Sequence, residues 1–213
     1  MKWNFKRDVF ALSIITLTVI IGCYYYIQLP KVVAAHYNGE GIADEYGPKL
    51  ILILPVVGLP IALYLIAAYI FFIDPFKKKF ADKYQIFLVI RDIIITFTAF
   101  AGTLFLVSAK DGNYRNDLLG VGIGIIFILI ENYFPKFPMN FFFGIRTRWT
   151  LVSEVVWHKT HKTAGSLCIL GGILIIFLDL LKVRLGISII AVGLPLGVYS
   201  VYIYPYFIYH KLH

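Results

Sequence analysis

The sequence predicts an all-α integral membrane protein with six transmembrane helices and both termini in the cytoplasm. Three observations carry that prediction. Of the 213 residues, 60% are hydrophobic and the mean hydropathy is +0.80, whereas a soluble domain is nearer about 45–50% apolar. The apolar residues fall into six runs, each able to cross about 30 Å of hydrocarbon as a helix. Lys and Arg are also unevenly shared between the connectors. The N-terminal segment, the second and fourth connectors and the C-terminus hold thirteen of the 20 basic residues, while the first, third and fifth connectors hold six. That bias puts both termini in the cytoplasm. A net charge of +8 in a soluble protein would suggest nucleic acid. Here the basic residues flank apolar spans, so membrane lipids are the expected partner and no direct nucleic-acid contact is expected.

Residues 8–29 form the first span. Lys2, Lys6 and Arg7 precede it, but the run is too long for a signal-peptide core and no Ala-x-Ala follows, so it reads as an uncleaved signal anchor. It closes on Tyr24-Tyr25-Tyr26, an interfacial aromatic belt. Residues 30–48 make a turn-rich outer loop with His36, Asn38, Gly41, Asp44, Glu45 and Tyr46. The second span, 49–73, contains Pro55 and Pro60, which predict a kink. A basic connector with Lys77-Lys78-Lys79 and Lys83 leads to the third span, 85–109, which carries Arg91 and Asp92 near its start. After a polar turn at Asp111-Gly112-Asn113, the fourth span, 118–134, opens with Gly120, Gly122 and Gly124, residues that let helices approach closely. The fifth and sixth spans are 163–181 and 185–209, the last with Pro195, Pro205 and a Tyr-rich end. Together these make one membrane bundle: an N-terminal two-helix unit over 8–73 with its outer loop 30–48, and a four-helix unit over 85–213 carrying a distinctive loop, 135–165. Cys23 and Cys168 lie in apolar runs and read as small core residues.

The loop within 135–165 is the longest polar segment and faces the cytoplasm on the charge count. Thr150 or Ser153 can cap a new helix, with Glu154 favourable in its first turn. A helix from about 151 to 165 puts Glu154, His158 and His161 on one face, a weak candidate metal or proton-transfer set. The same residues fit an interfacial helix with Trp157 at headgroup level and Lys159 and Lys162 against phosphates. Arg91-Asp92 and Glu131-Asn132 lie at similar cytoplasmic depth, which suits an Arg91–Glu131 ion pair; hydrated interfacial charges fit equally. In the outer loop, the acidic residues suit docking of a cationic or amphipathic ligand; a solvated connector fits them slightly better. No nucleotide loop, Ser/His/Asp set or paired-carboxylate pattern is present in the sequence, so neither catalysis nor a cofactor is expected.

Asn140…Gly144-Ile145-Arg146-Thr147…Trp149-Thr150-Leu151…Ser153-Glu154…Trp157…Thr160-His161…Ala164-Gly165 resembles the signature of the SdpI family of bacterial immunity proteins. Upstream, Leu29-Pro30…His36-Tyr37-Asn38…Gly41…Asp44…Tyr46-Gly47…Lys49 resembles the domain that commonly precedes it. The chain departs from the pattern at Arg148, where Pro is expected, at Tyr37 in place of Phe, and at Lys162 in place of Arg. The resemblance implies a multi-pass protein of the plasma membrane of a Gram-positive bacterium that gives resistance to a secreted toxic peptide. It also implies signalling, with toxin binding outside leading to capture of a small cytoplasmic transcriptional repressor. His36, Asn38, Gly41, Asp44 and Tyr46 would then face the toxin. Two rival readings remain: a small transporter or ion pathway built on Arg91, Asp92, Glu131 and the proline-bearing spans, and a membrane metalloenzyme using Glu154, His158 and His161.

Overall fold

The computed structural model describes residues 5–38, 41–73, 84–112 and 116–212. The expected basic connector at Lys77–Lys79 and Lys83, and Asn113, lie outside the described residues. Six helices are long and apolar enough to cross a membrane among the described residues, at Arg7–Gln28, Leu50–Ile70, Tyr84–Asp111, Leu118–Lys136, Glu154–Leu180 and Leu185–Leu212. The chain divides into two compact units, Met1–Ala67 with Arg91–Gly122, and Ala68–Ile90 with Ile123–His213. The sequence-based division at the second connector differs from this one, because the chain passes between units within helices.

The first unit begins with α1 (Phe5–Gln28). A hairpin follows, β1 (Val32–Tyr37) and β2 (Ala43–Pro48), and then α2 (Leu50–Ile73). α3 (Tyr84–Asp111) joins the unit from Arg91 onward. The hairpin replaces the irregular outer loop expected from the sequence. Its strands pair antiparallel with Val33 opposite Gly47 and His36 opposite Glu45, and the register shifts on both sides of His36. Its turn is built by Asn38, whose N–H donates to the Ile42 carbonyl at 2.9 Å while its Oδ1 accepts from the Ile42 N–H at 3.0 Å. Gly41 sits at φ 77°, a left-handed conformation that glycine adopts without strain. The hairpin is anchored from below. Leu29 and Val33 pack with Leu52, Ile53, Val56 and Leu106, and the Tyr37 ring meets Phe105 edge-on at 6.2 Å. Lys49 closes its base: its ammonium donates to the Tyr26 carbonyl at 2.5 Å, at the C-terminal end of α1, where carbonyls lack helical partners. α2 continues through both prolines, and Pro60 is fully buried.

The second unit takes the end of α4 (Asn116–Glu131). A 3₁₀ turn, Phe134–Lys136, leads into an irregular segment and the short α5 (Arg148–Val152). Then come α6 (Glu154–Leu180) and α7 (Leu185–Leu212). Gly124 and Gly172 meet back to back. A Cβ on Gly124 would lie 2.7 Å from the Gly172 carbonyl oxygen, so this α4–α6 approach admits no side chain. α6 starts at Glu154, well before the fifth span expected at 163–181. Ser153 caps it, accepting from the Val156 N–H at 3.4 Å, and no breaker interrupts residues 154–165. His158 and His161 therefore lie in the first turns of a long helix. α7 widens to π geometry at Ile189–Gly193 and Tyr199–Ile203, just ahead of Pro195 and Pro205. Proline cannot donate to the carbonyl four residues back and its ring crowds it, and the wider turn relieves both problems. Both cysteines are free; Cys168 is half-buried, while Cys23 is exposed rather than in the core.

Candidate functional site

In the second unit, residues 137–150 fold as a strap over the N-terminal turns of α6. Asn140 is fully buried and organises the first bend. Its Nδ2 donates to the Pro138 carbonyl at 3.0 Å, and its Oδ1 accepts from the N–H groups of Phe142 and Phe143 at 3.0 and 2.6 Å. Gly144 follows at φ 91°, and a Cβ there would collide with His161 Nε2, so both backbone and space require glycine. His161 is the point on which the strap closes. Nε2 accepts from the Ile145 N–H at 3.0 Å, and Nδ1 bonds the Trp157 carbonyl at 2.9 Å. A carbonyl only accepts, so Nδ1 carries the hydrogen and the ring is the neutral Nδ1–H tautomer. The indole of Trp157 stacks on it at 4.1 Å between ring centres and donates Nε1–H to the Phe137 carbonyl at 2.8 Å. Phe134 and Phe137 complete the aromatic surround.

The strap ends in a capping box. Thr147 accepts from the Thr150 N–H at 3.3 Å, and the Thr147 N–H donates to Thr150 Oγ1 at 2.8 Å. Thr150 is fully buried, and its hydroxyl also donates to the Ile145 carbonyl at 2.8 Å. The Arg146 guanidinium turns back to the Phe141 carbonyl, and Trp149 meets Tyr206 of α7 edge-on at 5.5 Å. Gly165 lets α6 approach the end of α4, since a Cβ there would lie 3.3 Å from the Glu131 carbonyl oxygen.

Most of the polar signature is thus internal scaffolding. Asn140, Thr150, Trp157, His161 and Gly165 are buried, while Arg146, Arg148, Glu154, His158, Lys159 and Lys162 are exposed. The metal reading fails on this geometry. Both nitrogens of His161 are engaged beneath the strap while Glu154 and His158 face outward, and no group of three metal-capable side chains occurs among the described residues. Trp157 is likewise enclosed by protein and is not a headgroup anchor.

Of the other predicted residues, Glu131 ends α4 in the second unit and the rest fall in the first. On the hairpin, His36 Nδ1 and Asp44 Oδ1 pair at 2.6 Å, both side chains well exposed, and Tyr46 is 68% exposed. The bond to Asp44, and then its charge, raise the His36 pKa above the ordinary histidine value. Asn38 and Gly41 form the turn, so they shape the surface more than they present a functional group. The expected Arg91–Glu131 pair is replaced by a different one. Arg91 Nη1 meets Asp8 Oδ1 at 2.5 Å and Arg91 Nε meets Asp92 Oδ1 at 2.9 Å, with Tyr64 packed over the guanidinium at 5.2 Å. Asp8 carried its own signal in the sequence, an acid at the start of the first span.

A polytopic helical protein with six apolar helices and a polar strap locked onto one of them defines the class: a multi-pass membrane protein. The comparisons specify it further. Residues 136–207 match the SdpI/YfhL protein family, and residues 13–59 match a domain of unknown function (DUF1648). The chain is 26% identical over 208 residues, 97% of its own length and 98% of the relative's, to the immunity protein SdpI of Bacillus subtilis (strain 168). The similarity to the SdpI/YfhL family thus covers the strap and α6. No solved structure matches.

Proposed function

We propose that the protein confers immunity to a secreted antimicrobial peptide at the plasma membrane of a Gram-positive bacterium, with both termini and the strap in the cytoplasm and the hairpin outside. The observation that carries this reading is the end-to-end similarity to an immunity protein, which spans the hairpin and the strap alike. The charge bias of the connectors supports the orientation. In this reading the peptide meets the exposed His36–Asp44–Tyr46 surface, whose acids favour a cationic or amphipathic ligand. Signalling would use the cytoplasmic strap and the start of α6, whose exposed Arg146, Arg148, Glu154, His158, Lys159 and Lys162 would meet a small repressor. The role requires binding and no bond chemistry.

Expression in a peptide-sensitive strain tests the proposal. Survival should rise, and substitutions at Asp44 and Tyr46 should lower it while the protein stays folded in the membrane. Full-level expression with no gain in survival against any such peptide would refute it.

A further inference from the structure

We propose that the secreted peptide binds as an added β-strand on the outer edge of β2, hydrogen-bonded to the backbone of Tyr46. The proposal rests on the immunity reading for its partner and says how that partner is held. The sheet has two strands, so each keeps one edge turned away from the other. β1 lies against the helices: Val33 is buried, and the Tyr37 ring meets Phe105. β2 is open on both faces at its middle. Glu45 and Tyr46 follow each other along the strand and so point to opposite faces, and both are exposed.

The phase of the ladder decides which backbone groups face outward. In an antiparallel pair, opposed residues alternate between bonding each other and directing their N–H and C=O groups away. The Lys49 N–H donates to the Lys31 carbonyl at 3.1 Å, and two residues further on Val33 stands opposite Gly47. Val33 and Gly47 are therefore a bonded pair. Val32 opposite Pro48, and Ala34 opposite Tyr46, are the pairs whose backbone faces away. Tyr46 thus presents both an N–H and a C=O along the outer edge. Pro48 stands in the same phase, where its missing N–H costs the hairpin nothing. An open edge accepts any extended chain, and charge selects among them. Asp44, already joined to His36 at 2.6 Å, and Glu45 are successive carboxylates on this strand. A second copy adding its own β2 would bring these carboxylates against their like, which is unfavourable. A cationic strand pairs with them instead, and the Tyr46 ring, 68% exposed, offers it an apolar contact.

The probe is a synthetic octapeptide of alternating lysine and valine with carbon-13 carbonyls, titrated into the purified full-length protein in nonionic detergent. Binding should saturate, and the labelled amide band in the infrared should move to the position of a hydrogen-bonded strand. Y46P removes the outward N–H without breaking a bond of the hairpin. Its melting temperature and His36 ring titration should match the wild type, while affinity for the probe falls about tenfold or more. Y46A, which removes the ring and keeps the N–H, should lose less and retain the shifted band. Equal affinity in Y46P and wild type, a bound probe without the strand band, or no saturable binding would overturn the proposal. The labelled band is read on the wild type, so the test does not depend on how the variant folds. Survival is a separate readout. In a strain that the wild type protects, Y46P should lose protection, and full protection by Y46P would also overturn strand addition. No protection by the wild type refutes the immunity reading instead, and the probe still decides whether the edge takes a strand.

Discussion

The hairpin between α1 and α2 and the strap between α4 and α6 both interrupt an apolar chain with polar residues, and they dispose of those residues in opposite ways. On the hairpin, apolar Val33 points down into the packed cluster, while His36, Asp44, Glu45 and Tyr46 are left exposed. On the strap, the polar and aromatic groups turn inward, and Asn140, Thr150, Trp157 and His161 satisfy backbone groups of Phe143, Ile145 and Phe137. The difference separates two meanings of a sequence signature. A dense motif of buried residues specifies shape, whereas recognition falls to the exposed residues that the scaffold presents. Strap substitutions should therefore act through stability, and hairpin substitutions through binding.

The largest effect belongs to the junction of strap and helix. H161A strands the Ile145 N–H, removes the stack on Trp157 and opens a cavity, and should cost about 3–5 kcal/mol. G144A forces a side chain into His161 from a left-handed backbone and should be comparably damaging. Thermal unfolding in detergent, with membrane yield as the second readout, checks both. Near-wild-type stability in either variant would mean the strap is not locked by this contact. W157F is milder. It keeps most of the packing but leaves the Phe137 carbonyl without its donor, a loss of about 1–3 kcal/mol measurable in the same assay.

How legible this division was in the sequence depends on the range of the contact. The six apolar helices followed from composition and run length. The signature was visible as a unit because Asn140 through Gly165 are close in sequence, and the caps at Thr147–Thr150 and Ser153 are local motifs. Its inwardness was not visible. The partner of Trp157 Nε1 is a backbone carbonyl 20 residues away, and any residue type supplies one. Asp8 and Arg91 are 83 residues apart, and depth alone made Glu131 an equally plausible partner. The hairpin was hidden because Asn38 and Gly41 advertise a turn, while β1 and β2 are only six residues each.

On the hairpin the expected effect is on titration and binding, with little change in the stability of the bundle. The folded His36 pKa is raised, so the His36–Asp44 ion pair is fully present below the unfolded value near 6.5 and is lost as pH rises through the higher folded value. The NMR titration of the His36 ring should fall above that of a free histidine and return to the ordinary range in D44N. An unchanged titration in D44N would mean that Asp44 is not the cause. Peptide protection, if it uses this surface, should weaken in D44N with no matching shift in melting temperature.

The smallest effect tests the comparison from within the strap, at an exposed position. Arg148 is the first residue of α5, and Thr147 before it is the N-cap, with φ −115° and ψ 167°. Proline suits both demands: its fixed φ fits the first helical position, where no N–H partner is required, and it favours an extended residue before it. R148P should therefore be tolerated. It gains about 0.4–1 kcal/mol from a stiffer unfolded chain and loses a cation–π contact with Trp149, centred 4.7 Å away, worth about 0.5–1 kcal/mol at an exposed site. The two nearly cancel, so the melting temperature should move little in either direction. A large destabilisation would show that Arg148 contributes to the lock and that the strap's outer face is also structural. A neutral result keeps the exposed Arg148 available for the partner contact proposed above.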